Sequence, residues 1–369
     1  MRAMTERMAR DPEGGDTALQ GDAVVVPHER LRATAAALLR AAGVVEADAR
    51  VVADHLVDAN LSGHDSHGVG MLPQYVRGIR SGSVDPRAHV AIEDRGGAVL
   101  AADGRRGLGQ VVAREAVAAA MERARAVGVA LVALRNASHV GRVGTYGEQA
   151  AAGGFLSVHF VNVVGHPPLV APFRGSDARF STNPFCVTIP RQDRPPIVLD
   201  FATSMVALGK TRVALNRGEP MDEGVLVDAE GRPTRDPAVM WRVPRGAILP
   251  FGLHKGYGLA LACELLAGAL TGGGTASTVA FETDRITNNM LSFVIDPGRL
   301  PGAATLEREM TAAVEHVKAS PPADPSLPVL IAGEPELAWR ALRRASGIPI
   351  ERATWEQLVA AAASVGLAL

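Results

Sequence analysis

The sequence is organised around one polar stretch, His64-Asp65-Ser66-His67-Gly68-Val69-Gly70-Met71-Leu72-Pro73-Gln74-Tyr75. Its first four positions hold two imidazoles, a carboxylate and a hydroxyl, and they follow a helical pattern. Removing such groups from water costs free energy, so a segment needed only for packing would not concentrate them. The stretch is therefore the first candidate for the chemistry of the chain.

The composition limits what the chain can be. It has 369 residues, 47% of them hydrophobic and 4% aromatic, which suits two or three units that share a large core. The formal net charge of −1 gives no broad basic surface, so no nucleic-acid partner is expected. No apolar run is long enough to span a bilayer, so no membrane partner is expected. Cys186 and Cys263 lie in apolar runs, which predicts buried thiols in a reducing, cytoplasmic compartment.

Hydrophobic periodicity predicts an alternation of helices and strands. Residues 1–22 are polar, Gly-rich and unpatterned, and we expect a disordered tail there. A second helix begins at residues 44–48, and the polar stretch follows at its end. The other helices are predicted over 26–42, 72–79, 110–126, 146–152, 259–270, 306–319, 334–346 and 355–363. Strands are predicted near residue 90 and over 129–134, 155–161, 186–189, 197–201 and 290–295.

Four interpretations of the polar stretch are open. Ser66 and His67 could form a hydrolase pair, but helix neighbours point about 100° apart and no Gly-x-Ser-x-Gly turn is present. His64, Asp65 and His67 could bind a metal, but no second acidic or histidine cluster completes a site, so no metal is expected. An acid/base role suits His67, because its ordinary pKa lies near physiological pH. A polar helix end is the interpretation that the stretch favours when it is taken alone.

Other motifs also carry two interpretations. His139 follows a strand end, a usual position for cofactor or substrate contacts, or it caps a turn. His254-Lys255 lies in a glycine-flanked loop before a helix and would suit a phosphate, or it is a solvated loop. Asp200 could bind ribose hydroxyls or cap a helix, and Thr182-Asn183-Pro184 could be a simple turn. Gly107-x-Gly109 lacks the third glycine of a dinucleotide fingerprint, so it is interpreted as a helix start.

Taken together, these segments resemble the malate/L-lactate dehydrogenase family of the second type, from about residue 26 to residue 369. That family also includes ureidoglycolate, sulfolactate and diketogulonate oxidoreductases and a piperideine-2-carboxylate reductase. The blocks that carry the resemblance are Ser66-His67-Gly68 with Leu72-Pro73-x-Tyr75; Ser138-His139-x-Gly141; Thr182-Asn183-Pro184; Leu199-Asp200-x-Ala202-Thr203-Ser204 with Gly209-Lys210; and Pro250-x-Gly252-x-His254-Lys255-Gly256. Five ordered blocks at plausible spacing make the resemblance specific.

The resemblance implies an α+β (α/β) fold that differs from the doubly wound dinucleotide domain. A mixed, largely antiparallel sheet would bind NAD or NADP, and helices from both chain ends would form the other part. We therefore expect a helical part over 23–90, a cofactor-binding sheet domain over 91–299 and a C-terminal helical part over 300–369. The resemblance also implies a homodimer with the active site near the subunit boundary.

Site roles follow from the resemblance by position. His67 would be the proton donor and acceptor at the substrate C2 oxygen, with Ser66 beside it, although some members assign the acceptor role to His139. Thr182, Tyr75 and the residue at position 71 would contact substrate. Lys210 stands where the imino-acid reductase branch tends to have Asp, which favours the hydroxy-acid branches. Cofactor contacts would come from His139, Val140, Gly141, Arg142, Val143, Leu199, Asp200, Phe201, His254, Lys255, Ala332, Gly333 and Glu334.

Two positions depart from the family pattern. Met71 replaces an arginine that would clamp a carboxylate, and Ala332 replaces a proline. Our hypothesis is that Arg142 takes the carboxylate instead. The expected function is NAD(P)-dependent interconversion of a small 2-hydroxy acid and its 2-oxo acid. The alternatives are reduction of a cyclic imine carboxylate and a cofactor-binding relative without activity. The choice between NAD and NADP stays open, since several arginines, including Arg191 and Arg194, could accept the additional phosphate.

Overall fold

The structure is a computed structural model that describes residues 23–281 and 284–369. The tail predicted over 1–22 lies outside the described residues. The helices are α1 His28–Ala41, α2 Glu46–Leu61, α3 Leu72–Arg80, α4 Gly109–Val127, α5 Gly144–Ala152, α6 Leu208–Arg217, α7 His254–Cys263, α8 Leu306–Lys318, α9 Glu334–Ser346 and α10 Arg352–Ala363. The strands are β1 Ala23–Val26, β2 Ala91–Asp94, β3 Val99–Asp103, β4 Val129–Ser138, β5 Leu156–Val164, β6 Phe185–Ile189, β7 Ile197–Phe201, β8 Leu226–Val227, β9 Pro233–Thr234, β10 Ala247–Ile248, β11 Thr287–Ile295 and β12 Ile348–Glu351.

A seven-stranded sheet in the order β2-β3-β4-β11-β5-β6-β7 forms the centre of the molecule. Only β3 and β4 run parallel, and every other neighbouring pair in this sheet is antiparallel. Helix α4 lies across the sheet on a stripe of small residues at helical spacing, which lets the helix backbone approach closely. These are Ala113, Ala116, Ala120 and Ala124, all fully buried. The arrangement confirms the expected mixed, largely antiparallel sheet.

The two chain ends meet in a second, helical core. β1 pairs antiparallel with β12, with Val24 opposite Ile350. One apolar cluster joins Leu31, Leu38 and Leu56 from the N-terminal helices to Leu358 from α10. Residues this far apart in sequence are held together because each helix has one apolar face to bury. This helical unit carries the polar stretch on its surface toward the sheet.

Several predicted segments differ from the structure. β1, β12 and the small sheet β10-β8-β9 were not predicted, because strands of two to four residues show little alternation. The predicted helix over 259–270 begins five residues earlier, at His254, and its last part is a π-helix over Glu264–Ala269. His254 and Lys255 therefore belong to the first turn of α7 rather than to the loop before it. Within the described ranges, no helix has the length and apolarity needed to cross a membrane.

Candidate active site

The polar stretch forms two single helical turns between α2 and α3, over Asp65–His67 and Val69–Met71. Arg343 from α9 binds the Asp65 carboxylate through two hydrogen bonds of 2.8 and 2.9 Å and also donates to the Asn60 carbonyl. Asn60 Oδ1 accepts the Val69 amide at 2.9 Å. A Cβ on Gly68 would collide with the Asn60 side chain. The backbone beneath His67 is thus fixed by buried polar bonds rather than left as a free helix end.

Five side chains form what we call the imidazole cluster: Ser66, His67, Tyr75, Gln110 and His139. The rings of His67 and His139 stack with centroids 5.6 Å apart and planes inclined by 21°. The Tyr75 hydroxyl lies 2.7 Å from His139 Nδ1 and accepts a 2.7 Å bond from Gln110 Nε2. Ser66 Oγ lies 3.0 Å from His67 Nδ1. Four of these residues were predicted, whereas Gln110, a single amide at the start of α4, gave no sequence signal.

Burial keeps the imidazole cluster uncharged at neutral pH. Desolvation lowers the pKa of His67 to about 4, and the positive charges of His64 and Arg142 act in the same direction. Desolvation also lowers the pKa of His139 well below its ordinary value, with further lowering by His67 and His55. Burial raises the pKa of the Tyr75 hydroxyl. The site therefore presents neutral imidazoles next to a phenol that keeps its proton.

A second group, which we call the ion network, comprises Arg142, Glu148, Asp200, Glu336 and Arg340. Arg142 is 3% exposed and donates from Nη1 to Glu148 Oε1 at 3.1 Å, while its Nε lies 3.8 Å from Asp200 Oδ2. Arg340 binds both Glu148 oxygens at 2.8 and 2.9 Å. Asp200 Oδ2 accepts the Gly144 amide at 2.7 Å, at the start of α5. Burial raises the pKa of Asp200, against the opposing effect of Arg142.

The ion network joins elements that lie far apart in sequence. Glu336 Oε1 lies 3.3 Å from His64 Nε2, and this contact links α9 to the polar stretch. Arg142 precedes α5, and Asp200 lies on β7. Sequence reasoning named Arg142 and Asp200 but missed Glu148, Glu336 and Arg340. No local pattern marks those three residues, because their partners are distant in the chain.

The segment from His139 to Val143 is held rigidly beside both groups. Asn288 Oδ1 accepts the Val140 amide at 2.9 Å, and Tyr146 donates its hydroxyl proton to the Val140 carbonyl. Gly141 has φ of 73°, and a Cβ there would collide with the His55 ring. Glycine is therefore required at this position both by conformation and by space.

The other predicted contacts occupy three places around these groups. Ala332 accepts the Val198 amide at 3.4 Å, so the loop carrying Gly333 lies on β7, which also contains Leu199 and Phe201. The neighbouring Glu334 is bound to Lys318 Nζ at 2.6 Å. The Phe201 ring meets Phe251 edge-on at 5.3 Å, and Phe251 precedes the exposed pair His254 and Lys255. The predicted cofactor residues thus lie on β7 or around it, but they do not form one continuous group of contacts.

The predicted substrate residues are dispersed. Met71 packs against the apolar core of the helical unit. The Thr182 carbonyl accepts both the amide and the hydroxyl of Thr203 at 2.9 Å. A Cβ on Gly209 would lie 3.7 Å from Ser66, so the start of α6 adjoins the imidazole cluster, and the exposed Lys210 follows. Among the described residues, no three His, Cys, Asp or Glu side chains gather as metal ligands.

Several buried polar atoms near the ion network lack a hydrogen-bond partner. They include Nε and Nη2 of Arg142, Oγ1 of Thr145 and Nε of Arg191. Of these residues, Arg191 lines a cavity of about 440 Å³, together with Arg194, Val198, Gly333 and Arg340 among others. An unpaired guanidinium donor and further arginines in the wall of a cavity of this size fit an anionic nucleotide. The residues present are thus suited to a dinucleotide cofactor.

Comparison with known proteins gives one consistent family. The model for malate/L-lactate dehydrogenase matches residues 26–359. Hydroxycarboxylate dehydrogenase B of Escherichia coli is 47% identical over 333 residues, covering 90% of this chain and 91% of that protein. The solved sulfolactate dehydrogenase of Methanocaldococcus jannaschii has a TM-score of 0.84 at 34% identity, covering 94% of this chain and 98% of that one. The Δ1-piperideine-2-carboxylate reductase of Pseudomonas syringae pv. tomato has a TM-score of 0.79 at 30% identity, covering 92% and 99%.

Proposed function

The chain belongs to the malate/L-lactate dehydrogenase family, and we propose that it interconverts a small 2-hydroxy acid and its 2-oxo acid with NAD or NADP. The observation that carries this proposal is the stacked pair of neutral imidazoles, His67 and His139, 5.6 Å apart. Oxidising a secondary alcohol requires a base that removes the hydroxyl proton as hydride leaves C2. A neutral imidazole beside the reacting carbon supplies that base.

His67 is the proposed acid/base. Gln110 donates to the Tyr75 oxygen, so the phenol proton is directed at His139 Nδ1. His139 then carries its own proton on Nε2 and is a hydrogen-bond donor rather than a base. The Ser66 hydroxyl can donate to His67 Nδ1 or accept from it, so that Nε2 of His67 can take or return a proton. The two imidazoles therefore have different roles: His139 orients the substrate oxygen and His67 moves the proton.

The cofactor, when bound, supplies the hydride acceptor or donor at its nicotinamide ring. The residues proposed to hold it are the segment His139–Val143, the end of β7 from Leu199 to Phe201, the loop Ala332–Glu334, and the pair His254 and Lys255. The unpaired Oγ1 of Thr145 and Nε of Arg191 support an anion in this region. Orientation of both reactants is the main contribution of the protein, since it supplies on the order of 7–11 kcal/mol in well-oriented intramolecular reactions.

Arg142 is the proposed partner of the substrate carboxylate. Met71 has no donor and packs on an apolar core, so it cannot take this role. Arg142 is near enough to the imidazole cluster for its charge to lower the pKa of His67. Its Nε and Nη2 have no hydrogen-bond partner, while Nη1 is held by Glu148. One fork of the guanidinium is therefore available to a carboxylate.

A substrate panel tests the proposed reaction. Purified protein is offered lactate, malate, their 2-oxo acids and Δ1-piperideine-2-carboxylate, each with both nicotinamide cofactors, and the nicotinamide absorbance is followed. We expect turnover of a 2-hydroxy or 2-oxo acid. Turnover of the cyclic imine alone would assign the chain to the reductase activity named for its Pseudomonas structural neighbour. Cofactor binding without turnover of any compound would indicate a relative that has lost activity.

We also propose a homodimer formed through the outer face of α7 and the π-helix that follows it. Buried residues such as Ala260 and Cys263 face the sheet, yet the other side is also apolar. Leu265 in the π-helix and Leu270 directly after it are 51% and 65% exposed, and Leu253 and Phe281, on the segments before and after these helices, are 59% and 62% exposed. Exposed apolar side chains of this size favour a protein partner. Sedimentation equilibrium should give a dimer mass, and Leu265→Lys with Leu270→Lys should give a monomer. A monomeric wild-type protein would contradict the proposal.

A cytoplasmic location is the last part of the proposal. Cys186 and Cys263 are both buried free thiols. Unpaired cysteines of this kind are typical of a reducing compartment. Cell fractionation checks this location: the protein should be recovered in the same fraction as a cytosolic marker enzyme.

A further inference from the structure

The cavity of about 440 Å³ beside the ion network has an unequal distribution of charge. Three arginines line it, Arg191, Arg194 and Arg340, against one carboxylate, Glu148. Glu148 is already bound by Arg340 and Arg142. Two positive charges are therefore left without compensation in the cavity wall.

Arg191 and Arg194 supply those charges from the turn between β6 and β7. Within the part of the chain that the structure describes, neither side chain has an ion-pair or hydrogen-bond partner. Nε of Arg191 is buried and unpaired, whereas Arg194 is exposed at the cavity rim. Three prolines, Pro190, Pro195 and Pro196, bracket the turn. Because each proline fixes its own φ, the backbone of the turn that carries both arginines at the cavity is restricted before any ligand arrives.

The position of the cavity indicates which ligand group meets these arginines. Gly333 and Val198 line its wall; Gly333 belongs to the loop that the proposed function assigns to the cofactor, and Val198 lies on β7 directly before the assigned segment Leu199–Phe201. Gly333 has φ of 93°, and a Cβ there would approach the Val198 amide nitrogen at 3.2 Å, so glycine lets this loop lie close against β7 in the cavity wall. A planar guanidinium binds a phosphate through two parallel hydrogen bonds. NADP differs from NAD by one phosphate, at the 2′ position of the adenosine ribose.

We propose, on the basis of the function proposed above, that Arg191 and Arg194 bind the ribose 2′-phosphate and make the enzyme selective for NADP(H) over NAD(H). The alternative source of an anion at this place is the pyrophosphate, which both cofactors share. A residue that binds the pyrophosphate affects both cofactors equally. A residue that binds the 2′-phosphate affects NADPH alone. The two assignments therefore give different results in one experiment.

The experiment measures dissociation constants of NADPH, NADH, 2′,5′-ADP and 5′-AMP by calorimetry, without substrate. The variants are Arg191→Ala, Arg194→Ala and the double variant, and Arg191→Lys keeps the charge without the fork. Arg87→Ala is the matched control, because Arg87 is an exposed arginine between α3 and β2. Thermal unfolding of each variant shows whether it is folded.

We expect the wild type to bind NADPH and 2′,5′-ADP more tightly than NADH and 5′-AMP. The double variant should lose NADPH affinity by more than about tenfold, since it removes the charged hydrogen bonds to the 2′-phosphate. NADH affinity should stay within about twofold of the wild type. Equal loss for both cofactors, or no loss for either, would overturn the assignment and leave the proposed dehydrogenase intact. Failure of every nucleotide to bind would overturn both.

Discussion

The imidazole cluster and the ion network lie side by side, but the side chains of the first are kept neutral and those of the second are kept charged. In the imidazole cluster, every titratable group is pushed toward its neutral form, with the pKa of His67 lowered to about 4. In the ion network, Arg142 stays charged although its residue is only 3% exposed, because Glu148 and Asp200 surround it. Burial is common to both regions, so the partner groups decide the outcome. Neutral groups next to one another can exchange protons, whereas a guanidinium compensated by carboxylates keeps its charge inside the protein.

The difference has a physical basis in hydrogen bonding. Ser66, Tyr75 and Gln110 are neutral partners, so they orient the imidazoles without stabilising a charge on them. The carboxylates of the ion network stabilise the guanidinium groups instead, and Nη2 of Arg340 donates to both Glu148 oxygens. The proposed proton transfer and the proposed anion binding would thus be carried by two different groups of side chains. Each prediction below removes one side of this separation.

Removing the imidazole of His67 should have the largest effect. For His67→Ala, we expect kcat to fall by about 10²- to 10⁴-fold, since general acid/base catalysis contributes that much. Cofactor affinity should stay within about twofold, because the ion network is unchanged. Steady-state kinetics and calorimetry measure the two quantities. His316→Ala, an exposed histidine on α8, is the control.

His139 gives the complementary test of the two imidazoles. His139→Gln keeps a hydrogen-bond donor and removes the titrating ring, so it should lose less activity than His67→Ala. If His139→Gln lost as much as His67→Ala and retained the same cofactor affinity, the acid/base role would belong to His139.

The sequence predicted the sheet domain better than it predicted the site partners. β7 and α9 have the predicted bounds, 197–201 and 334–346, because clear apolar patterns end at turn-forming residues such as Gly347. The pairing of β1 with β12 escaped prediction, since its register is set by the helical core and not by either strand alone. Local patterns specify elements, whereas contacts between the two chain ends depend on the complete fold.

The site shows the same limit. Ser66, His67 and His139 were named from motifs, and the stacking of the two rings follows only from the fold. Glu148 and Arg340, 192 residues apart, carry no motif. Arg343 was also missed, although it is among the largest fully buried side chains. A charged residue in an amphipathic helix is normally exposed. Arg343 is buried because it pairs with the Asp65 carboxylate, a contact that the sequence pattern does not indicate.

Arg343 holds the turn that carries His67 through its bonds to Asp65, so its loss should have the second largest effect. Arg343→Ala leaves the Asp65 carboxylate without its partner, and we expect the free energy of unfolding to fall by about 3–5 kcal/mol. Chemical denaturation measures this loss. Arg344→Ala, its exposed neighbour on α9, is the control and should change stability by less than about 0.5 kcal/mol. Equal effects of the two substitutions would mean that the Asp65–Arg343 pair does not support the turn that carries His67.

Arg142 tests the ion network with a smaller effect. Arg142→Lys keeps the positive charge near Glu148 and Asp200 but removes the planar fork. We expect KM for the hydroxy acid to rise by about tenfold, with a smaller change in the cofactor dissociation constant. Arg340→Lys is the control, because Arg340 binds the same Glu148. Equal changes in substrate KM and cofactor affinity would contradict the proposed carboxylate contact.

The smallest expected effect is a nearly constant rate of oxidation between pH 8 and pH 5, and it is the most direct test of the lowered pKa of His67. An ordinary histidine with a pKa of about 6.5 would be almost fully protonated at pH 5, so alcohol oxidation would slow by about 30-fold between pH 8 and pH 5. With a pKa of about 4, His67 remains about nine-tenths deprotonated at pH 5. We therefore expect kcat/KM for oxidation to change by less than about twofold over this interval. Reduction requires the protonated ring, so its kcat/KM should rise about tenfold for each unit by which pH falls.

Acid stability must be measured alongside this profile. The buried histidines His55 and His159 have pKa values lowered to about 3 and about 4. They favour the folded state above pH 6.5, and this stabilisation declines as pH falls toward their folded pKa values, because the unfolded chain binds protons first. Circular dichroism at pH 5 shows whether the protein is still folded there. If the enzyme is folded at pH 5 and its oxidation rate still falls about 30-fold, the pKa of His67 is close to the ordinary value of about 6.5. The contrast between the imidazole cluster and the ion network would then not hold.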